Sequence, residues 1–146
     1  MTGPADATAA WLRDLELLRR LPQRYARAID ARDIDAVAAL FDIAGEIDGA
    51  RGSATVPEWL AGLRNAPRVF EASMHVLGEP LIDLDPGADE GRMDTYAVVY
   101  QLRAPDAPEG DMVLGVRYLD DVARRDGEWV IRRRVARSLW TRNTRG

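Results

Sequence analysis

The stretch from 112 to 140, MVLGVRYLDDVARRDGEWVIRRRVARSLW, reads as two long strands joined by a two-residue turn at Asp126-Gly127. Asp-Gly is a strong hairpin signal because the tight turns that match strand twist need positive φ at both central residues. Working backwards, Met93–Arg103 is a third long strand, with Tyr96, Val98, Tyr100 and Leu102 on one side of the pleat. Val69–Leu77 and Pro80–Leu84 are shorter extended segments, and Asp85-Pro86-Gly87 is a turn. The second half of the chain is therefore an antiparallel meander.

The first half follows a different period. Trp11, Leu15, Leu18, Leu21, Tyr25 and Ile29 recur at helical spacing, and Pro22 is expected to kink that helix or divide it in two. Asp33 reads as the N-cap of a short helix carrying Val37, Leu40 and Phe41. Thr55 and Glu58 match a capping box that opens a third helix, with Pro57 in its first turn. Helices first and strands afterwards describe an α+β fold in which helices cover one face of a curved sheet. No repeat, linker or low-complexity tract divides residues 1–146, so a single domain is expected, with 1–8 as a flexible tail.

Composition narrows the chemistry. The chain has 146 residues, net charge −4, no cysteine and one histidine. Zero cysteines exclude disulfides and thiolate metal sites and fit a reducing cytoplasm. One histidine excludes the common two- and three-histidine metal centres, and no glycine-rich phosphate loop is present, so neither metal nor cofactor is expected. No apolar run reaches the roughly 20 residues of a membrane span, and the first ten residues do not form a signal peptide pattern. All the basic residues are arginines, several of them near the C-terminus at Arg132, Arg133, Arg134, Arg137, Arg142 and Arg145. Interleaved with apolar residues in an acidic chain, they read as a solvated strand face rather than a nucleic-acid footprint.

What remains is histidine–carboxylate proton transfer. His75 lies in Ser73-Met74-His75-Val76-Leu77-Gly78, an apolar stretch where a histidine is either a satisfied core residue or a general base. Asp30 ends a helix whose apolar face carries Tyr25 and Ile29, and it is either a local cap or a partner for that histidine. A carboxylate at a helix C-terminus opposes the macrodipole by roughly 0.3–1 kcal/mol, which hints at a reason for its presence. Tyr25, five residues earlier, can flank the same cavity. Arg134 is a candidate counter-charge, although Arg132 and Arg133 compete for that place. Tyr118 and Asp120 share a strand face that can point inward, and solvent exposure of Asp120 is equally consistent. Trp59, Trp129 and Trp140 are either pocket walls or core, with Trp129 read as core.

The order of these pieces resembles the SnoaL-like branch of the nuclear-transport-factor-like superfamily. The segments that carry it are Arg24–Asp33 and Ser73–Gly78, supported by Gly115–Asp120, Asp126–Ile131, Arg134 and Trp140, over about residues 14–140. The resemblance implies a cone-shaped α+β barrel whose strongly curved, mostly antiparallel sheet packs on the N-terminal helices around a deep apolar pocket. It also implies an aspartate–histidine dyad, as in scytalone dehydratase, hexachlorocyclohexane dehydrochlorinase and bile-acid 7α-dehydratase, at positions matching Asp30 and His75. Tyr25 and Arg134 fall where members of that group carry an active-site tyrosine and arginine. Tyr100 stands where scytalone dehydratase has a second histidine, a departure that sets this chain apart from that substrate. On this reading Asp30, His75, Tyr25 and Arg134 are catalytic, and Tyr100, Tyr118 and Trp140 contact substrate.

The implied activity is a cofactor-free dehydratase-like lyase or isomerase acting on a hydrophobic cyclic or polyketide-like molecule. Other readings are a polyketide cyclase, a ligand-binding or oligomerisation module, and the small subunit of a ring-hydroxylating oxygenase. A cytoplasmic homo-oligomer, dimer or trimer, is expected, with no nucleic-acid or membrane partner.

Overall fold

The computed structural model describes residues 3–145. Ten elements follow in order: α1 (Pro4–Asp30), α2 (Ile34–Ala38), β1 (Phe41–Gly49), β2 (Gly52–Thr55), α3 (Val56–Asn65), β3 (Ala72–Leu77), β4 (Leu81–Asp83), β5 (Glu90–Leu102), β6 (Met112–Arg125) and β7 (Glu128–Asn143). The seven strands form one sheet in the order β2-β1-β7-β6-β5-β3, with β4 also paired to β5. Every pairing is antiparallel except β1 with β7. The α+β architecture is as expected, and the sheet curves over the helices without closing into a barrel.

The hairpin that opened the reading is present, with Arg125 opposite Glu128 and positive φ at Asp126 (51°) and Gly127 (81°). Two irregularities interrupt β6–β7 pairing. Asp121 and Val122 face Arg133 and Ile131, leaving Arg132 unopposed, and Gly115 and Val116 face Trp140 and Ser138, leaving Leu139 unopposed. Each extra residue is a β-bulge, which bends the strand and reverses the inside–outside alternation beyond it.

Pro22 does not divide α1. The helix runs unbroken through it, because Leu18, Leu21, Pro22 and Tyr25 are all buried against the sheet. A mid-helix proline costs about 3 kcal/mol. Burying each large apolar neighbour returns roughly 1.5–3 kcal/mol, so packing prevails. Nor is the N-terminal segment a tail: α1 begins at Pro4, with the Asp6 carboxylate accepting the Gly3 N–H at 3.2 Å. Residues 1 and 2 of the expected tail lie outside the described residues.

Asp33 caps α2 as expected, its Oδ1 accepting the Ala36 N–H at 3.0 Å. The helix then stops at Ala38, and Phe41 begins β1 instead of continuing it. The Thr55–Glu58 capping box is present at the start of α3. Two polar ties fix α1 to the strands. Trp11 Nε1 donates to the Leu84 carbonyl at 2.9 Å. Asp14 accepts from Trp129 Nε1 at 3.0 Å and from Arg124 Nη2 at 2.7 Å, which places Trp129 in the core.

Between Phe41 and Glu46 the register of β1 against β7 shifts, with Phe41 opposite Ile131 and Glu46 opposite Arg133. Gly45 sits in that slack, and a Cβ there would overlap the Arg132 carbonyl oxygen and crowd that of Asp42. Gly45→Ala is expected to lower stability by about 1–3 kcal/mol, the usual cost of overpacking. Urea denaturation checks this, and an unchanged midpoint would mean that the contact relaxes freely.

Candidate active site

The inner face of the sheet is set by the strand registers. His75 faces Val99, which faces Leu114; Thr95 faces Tyr118, which faces Ala136; Met93, Asp120, Arg134 and Ile47 form another transverse row. These rows lie under α1 and α3, and between them is a cavity of about 410 Å³. Tyr25, Trp59, His75, Tyr118 and Arg134 are among its lining residues. That volume is within the roughly 300–1,000 Å³ of small-molecule sites.

Asp30 reaches His75 across 45 residues of chain. Its Oδ2 accepts the His75 backbone N–H at 2.8 Å, and its Oδ1 lies 2.6 Å from Nδ1. The backbone bond fixes the carboxylate against β3, so the ring contact is geometrically determined. A carboxylate facing Nδ1 selects the tautomer with the proton there and leaves Nε2 as the basic nitrogen. Nε2 has no protein partner among the described residues, and the ring borders the cavity. Burial pushes the His75 pKa below its ordinary value, and the Arg134 charge adds to that; Asp30 opposes both without reversing the result. The imidazole is therefore neutral near pH 7 and competent to accept a proton.

Arg134 is the arginine that faces inward, while Arg132 and Arg133 are exposed. Its Nε and Nη2 donate to the two carboxylate oxygens of Asp120 at 2.7 and 2.8 Å, and both side chains are almost fully buried. The guanidinium lies over the rings of Tyr25 at 4.2 Å and Tyr118 at 4.4 Å. Burial alone would weaken its charge, but Asp120 more than compensates, so its pKa rises. Nη1 is buried and has no hydrogen-bond partner among the described residues. A cationic donor held in place with free N–H groups beside a cavity can stabilise developing negative charge.

Tyr25 and Tyr118 pack edge to face at 5.9 Å, and Tyr25 meets the His75 ring in the same way at 6.0 Å. Burial raises both hydroxyl pKa values against the opposing pull of Arg134, so both remain protonated donors. The Arg134 guanidinium acts on the Tyr25 hydroxyl both by its charge and as a hydrogen-bonding neighbour.

Two expected substrate contacts are misplaced. Tyr100 projects from the opposite face of β5, where it shares parity with exposed Tyr96 and Leu102, while Val99 and Gln101 line the cavity. Trp140 is also on the outer face, its indole lying over Gly115, where any Cβ would collide with it. The Leu139 bulge is the cause: Arg134, Ala136 and Ser138 face inward, and without the extra residue Trp140 would follow them. Residues missed in sequence include Gln101, Leu114, Leu63 and Arg51. Alternation could have found the first two once the inner face of β5 was known. Among the described residues no cluster of side chains suited to a metal ion occurs, and no helix is long and apolar enough to cross a membrane.

A family model for the SnoaL-like domain matches residues 10–135. The chain belongs to the SnoaL-like domain family. Solved structures share the fold of this SnoaL-like domain. A scytalone dehydratase-like protein of Novosphingobium aromaticivorans is 22% identical, with a TM-score of 0.78 over 93% of this chain and 91% of that one. A crystal structure of LinA is 17% identical, with a TM-score of 0.83 over 96% and 95%. The hexachlorocyclohexane dehydrochlorinase LinA-type3 of Novosphingobium barchaimii is 15% identical, with a TM-score of 0.79 over 92% of each chain. No curated protein matches the sequence.

Asp30→Asn is expected to move the His75 titration lower still, by about one unit or more, because it removes the partner that favours the imidazolium. NMR of the ring resonances reads this directly, and an unmoved titration would break the coupling. The same depression sets an acid limit on stability. The unfolded histidine, with a pKa near 6.5, takes up its proton before the folded one. The contribution of neutral, buried His75 is thus complete above about pH 6.5 and is lost as pH falls through the lower folded value. Unfolding midpoints of wild type and His75→Gln should diverge less at pH 5 than at pH 8.

Proposed function

We propose that this SnoaL-like protein is a cofactor-independent lyase or isomerase that abstracts a proton from a carbon next to a carbonyl or leaving group of a hydrophobic cyclic molecule. The observation that carries the reading is the 2.6 Å contact between Asp30 and His75 Nδ1, with Nε2 free at a cavity that also contains buried Arg134. Asp30 orients the ring, and Nε2 takes the proton. The electron pair moves toward the substrate oxygen, where Tyr25 donates a hydrogen bond and Arg134 Nη1 supplies positive charge. In a dehydration the C–O bond then breaks, and hydroxide leaves as water after taking the proton from the imidazolium. In an isomerisation the imidazolium returns the proton to a different carbon.

The electrostatics support this assignment. Arg134 disfavours a second positive charge on His75 in the empty site. Proton transfer from substrate creates an anion at the same moment as the imidazolium, so the site gains a charge pair rather than a lone cation. General acid–base assistance of this kind contributes typically 10²–10⁴-fold, and the walls must supply the rest by positioning.

Proton abstraction can be measured without knowing the leaving group. In D₂O, a panel of cyclic ketones and β-hydroxy ketones, each with and without a carboxylate on the ring, should show catalysed exchange of the acidic C–H for at least one member, followed by mass spectrometry. His75→Gln should reduce exchange by about 10²-fold or more. The wild-type rate should fall on the acid side with an inflection below the ordinary histidine value, because only the neutral imidazole acts. Absence of exchange across the panel, or exchange unaffected by His75→Gln, would reject the reading.

A further inference from the structure

The cavity does not end at the dyad. A second compartment of about 560 Å³ adjoins it beneath the 66–73 segment. The two share Ile29, Arg51, Leu63, His75 and Gln101 as walls, so a molecule at His75 has an open side leading toward the surface. This outward side is lined by three arginines, Arg32, Arg51 and Arg68. The inner cavity has mainly apolar walls, with Glu58, Gln101 and Ser138 as further polar groups beside those already described, so the arginine-lined mouth differs in chemistry from the interior.

The three arginines are not equivalent. Arg68 donates to the backbone carbonyls of Phe70 and Glu71, at 3.4 and 2.7 Å, which pins the 66–73 segment. Arg32 reaches the Ala66 carbonyl at 3.4 Å. Arg51 has neither a hydrogen bond nor a carboxylate within ion-pair distance among the described residues, and it alone of the three borders both compartments. It sits on the tip of the β1–β2 hairpin, between Gly49 and Gly52, which face each other in register. Its Nη1 lies 3.8 Å from where a Cβ on Gly62 would be, so the guanidinium rests on α3 at a position with no side chain to displace it.

Acidic groups line the two compartments as well. Glu58 is occupied by its capping box, accepting from Thr55 N and Oγ1, both at 2.9 Å. Asp30 is occupied by His75. The remaining carboxylate on the outer side is Glu71, against three guanidinium groups. The mouth therefore carries excess positive charge, and one of its cations has all its N–H donors available. An arginine in that state matches a carboxylate with two parallel hydrogen bonds.

We propose that Arg51 is a specificity-determining residue that binds a carboxylate on the substrate, making the substrate class a ring-bearing carboxylic acid rather than a neutral ring compound. This rests on the reading of the inner cavity as the substrate site. The apolar ring lies inward, its reacting carbon at His75, and the carboxylate points outward to the hairpin tip. The acid stays in water-accessible surroundings, so only part of its hydration is lost.

The test uses matched pairs of one-, two- and three-ring aromatic carboxylates and the corresponding neutral alcohols, titrated by calorimetry into wild type and Arg51→Gln. His75 ring resonances are followed in parallel by NMR. For at least one ring size, wild type should bind the acid about tenfold or more tighter than the alcohol. In Arg51→Gln the preference should fall to within about twofold while the affinity for the alcohol is unchanged. If acid and alcohol both shift the His75 signals but Arg51→Gln leaves the preference intact, the cavity reading stands and the Arg51 assignment alone is overturned. Equal affinity for acid and alcohol in wild type overturns it as well. If no probe shifts His75, the cavity reading fails and the assignment falls with it.

Discussion

The buried ion pair between Arg134 and Asp120 is the contact on which the rest of the interior is arranged. It joins β6 to β7 at directly opposed positions. The guanidinium is covered by Tyr25 from α1 and Tyr118 from β6, with Phe41 of β1 also within reach at 5.4 Å. Two charges removed from water recover their solvation only through good geometry, and here two short hydrogen bonds provide it. Losing either partner leaves an uncompensated buried charge, at about 3–5 kcal/mol. Helix α1, the first strand and the long hairpin are thereby held around one cation. The same cation faces the cavity, so the contact that organises the fold also sets the electrostatics of the site.

That arrangement explains why a histidine among apolar residues can still be useful. Burial and Arg134 hold His75 neutral, while Asp30 fixes its orientation through one backbone and one ring contact. The imidazole does not need to be charged to be positioned. Helix α1 presents Tyr25 and Asp30 to the same space from adjacent turns, so one helix supplies both the carboxylate that orients the imidazole and a phenol that lines the cavity.

The sequence made some of this readable and concealed other parts for definite reasons. The β6–β7 hairpin was readable because Asp126-Gly127 has the chemistry its turn demands. Both caps, at Asp33 and Thr55, were readable on the same ground. Strand β1 was not, because the slack around Gly45 breaks its alternation and Phe41 falls where the helical pattern of α2 could still continue. On β5 the alternation was visible, yet its outer residues Tyr96, Val98, Tyr100 and Leu102 are as apolar as its inner ones. Pattern alone therefore could not say which face was inside, and Tyr100 was assigned to the wrong one. Trp140 failed for a different reason, since a bulge of one residue changes parity without leaving any mark in hydropathy. The Asp30–His75 contact came from the order of motifs, because their 45-residue separation gives no local signal.

The parallel pairing of β1 with β7 has a consequence for how the chain is made. Parallel neighbours cannot be joined by a tight turn, and here the intervening connection comprises most of the molecule. Phe41 and Ile47 wait for Ile131 and Arg134, which leave the ribosome much later. Local pieces such as α1 and the β1–β2 hairpin can form early, but their apolar faces stay uncovered until the final strand arrives. High contact order of this kind slows folding and prolongs exposure to aggregation. The buried arginine of the cavity is thus delivered by the segment that completes the sheet, and a nascent chain shortened before β7 has neither a finished core nor a charge at its centre.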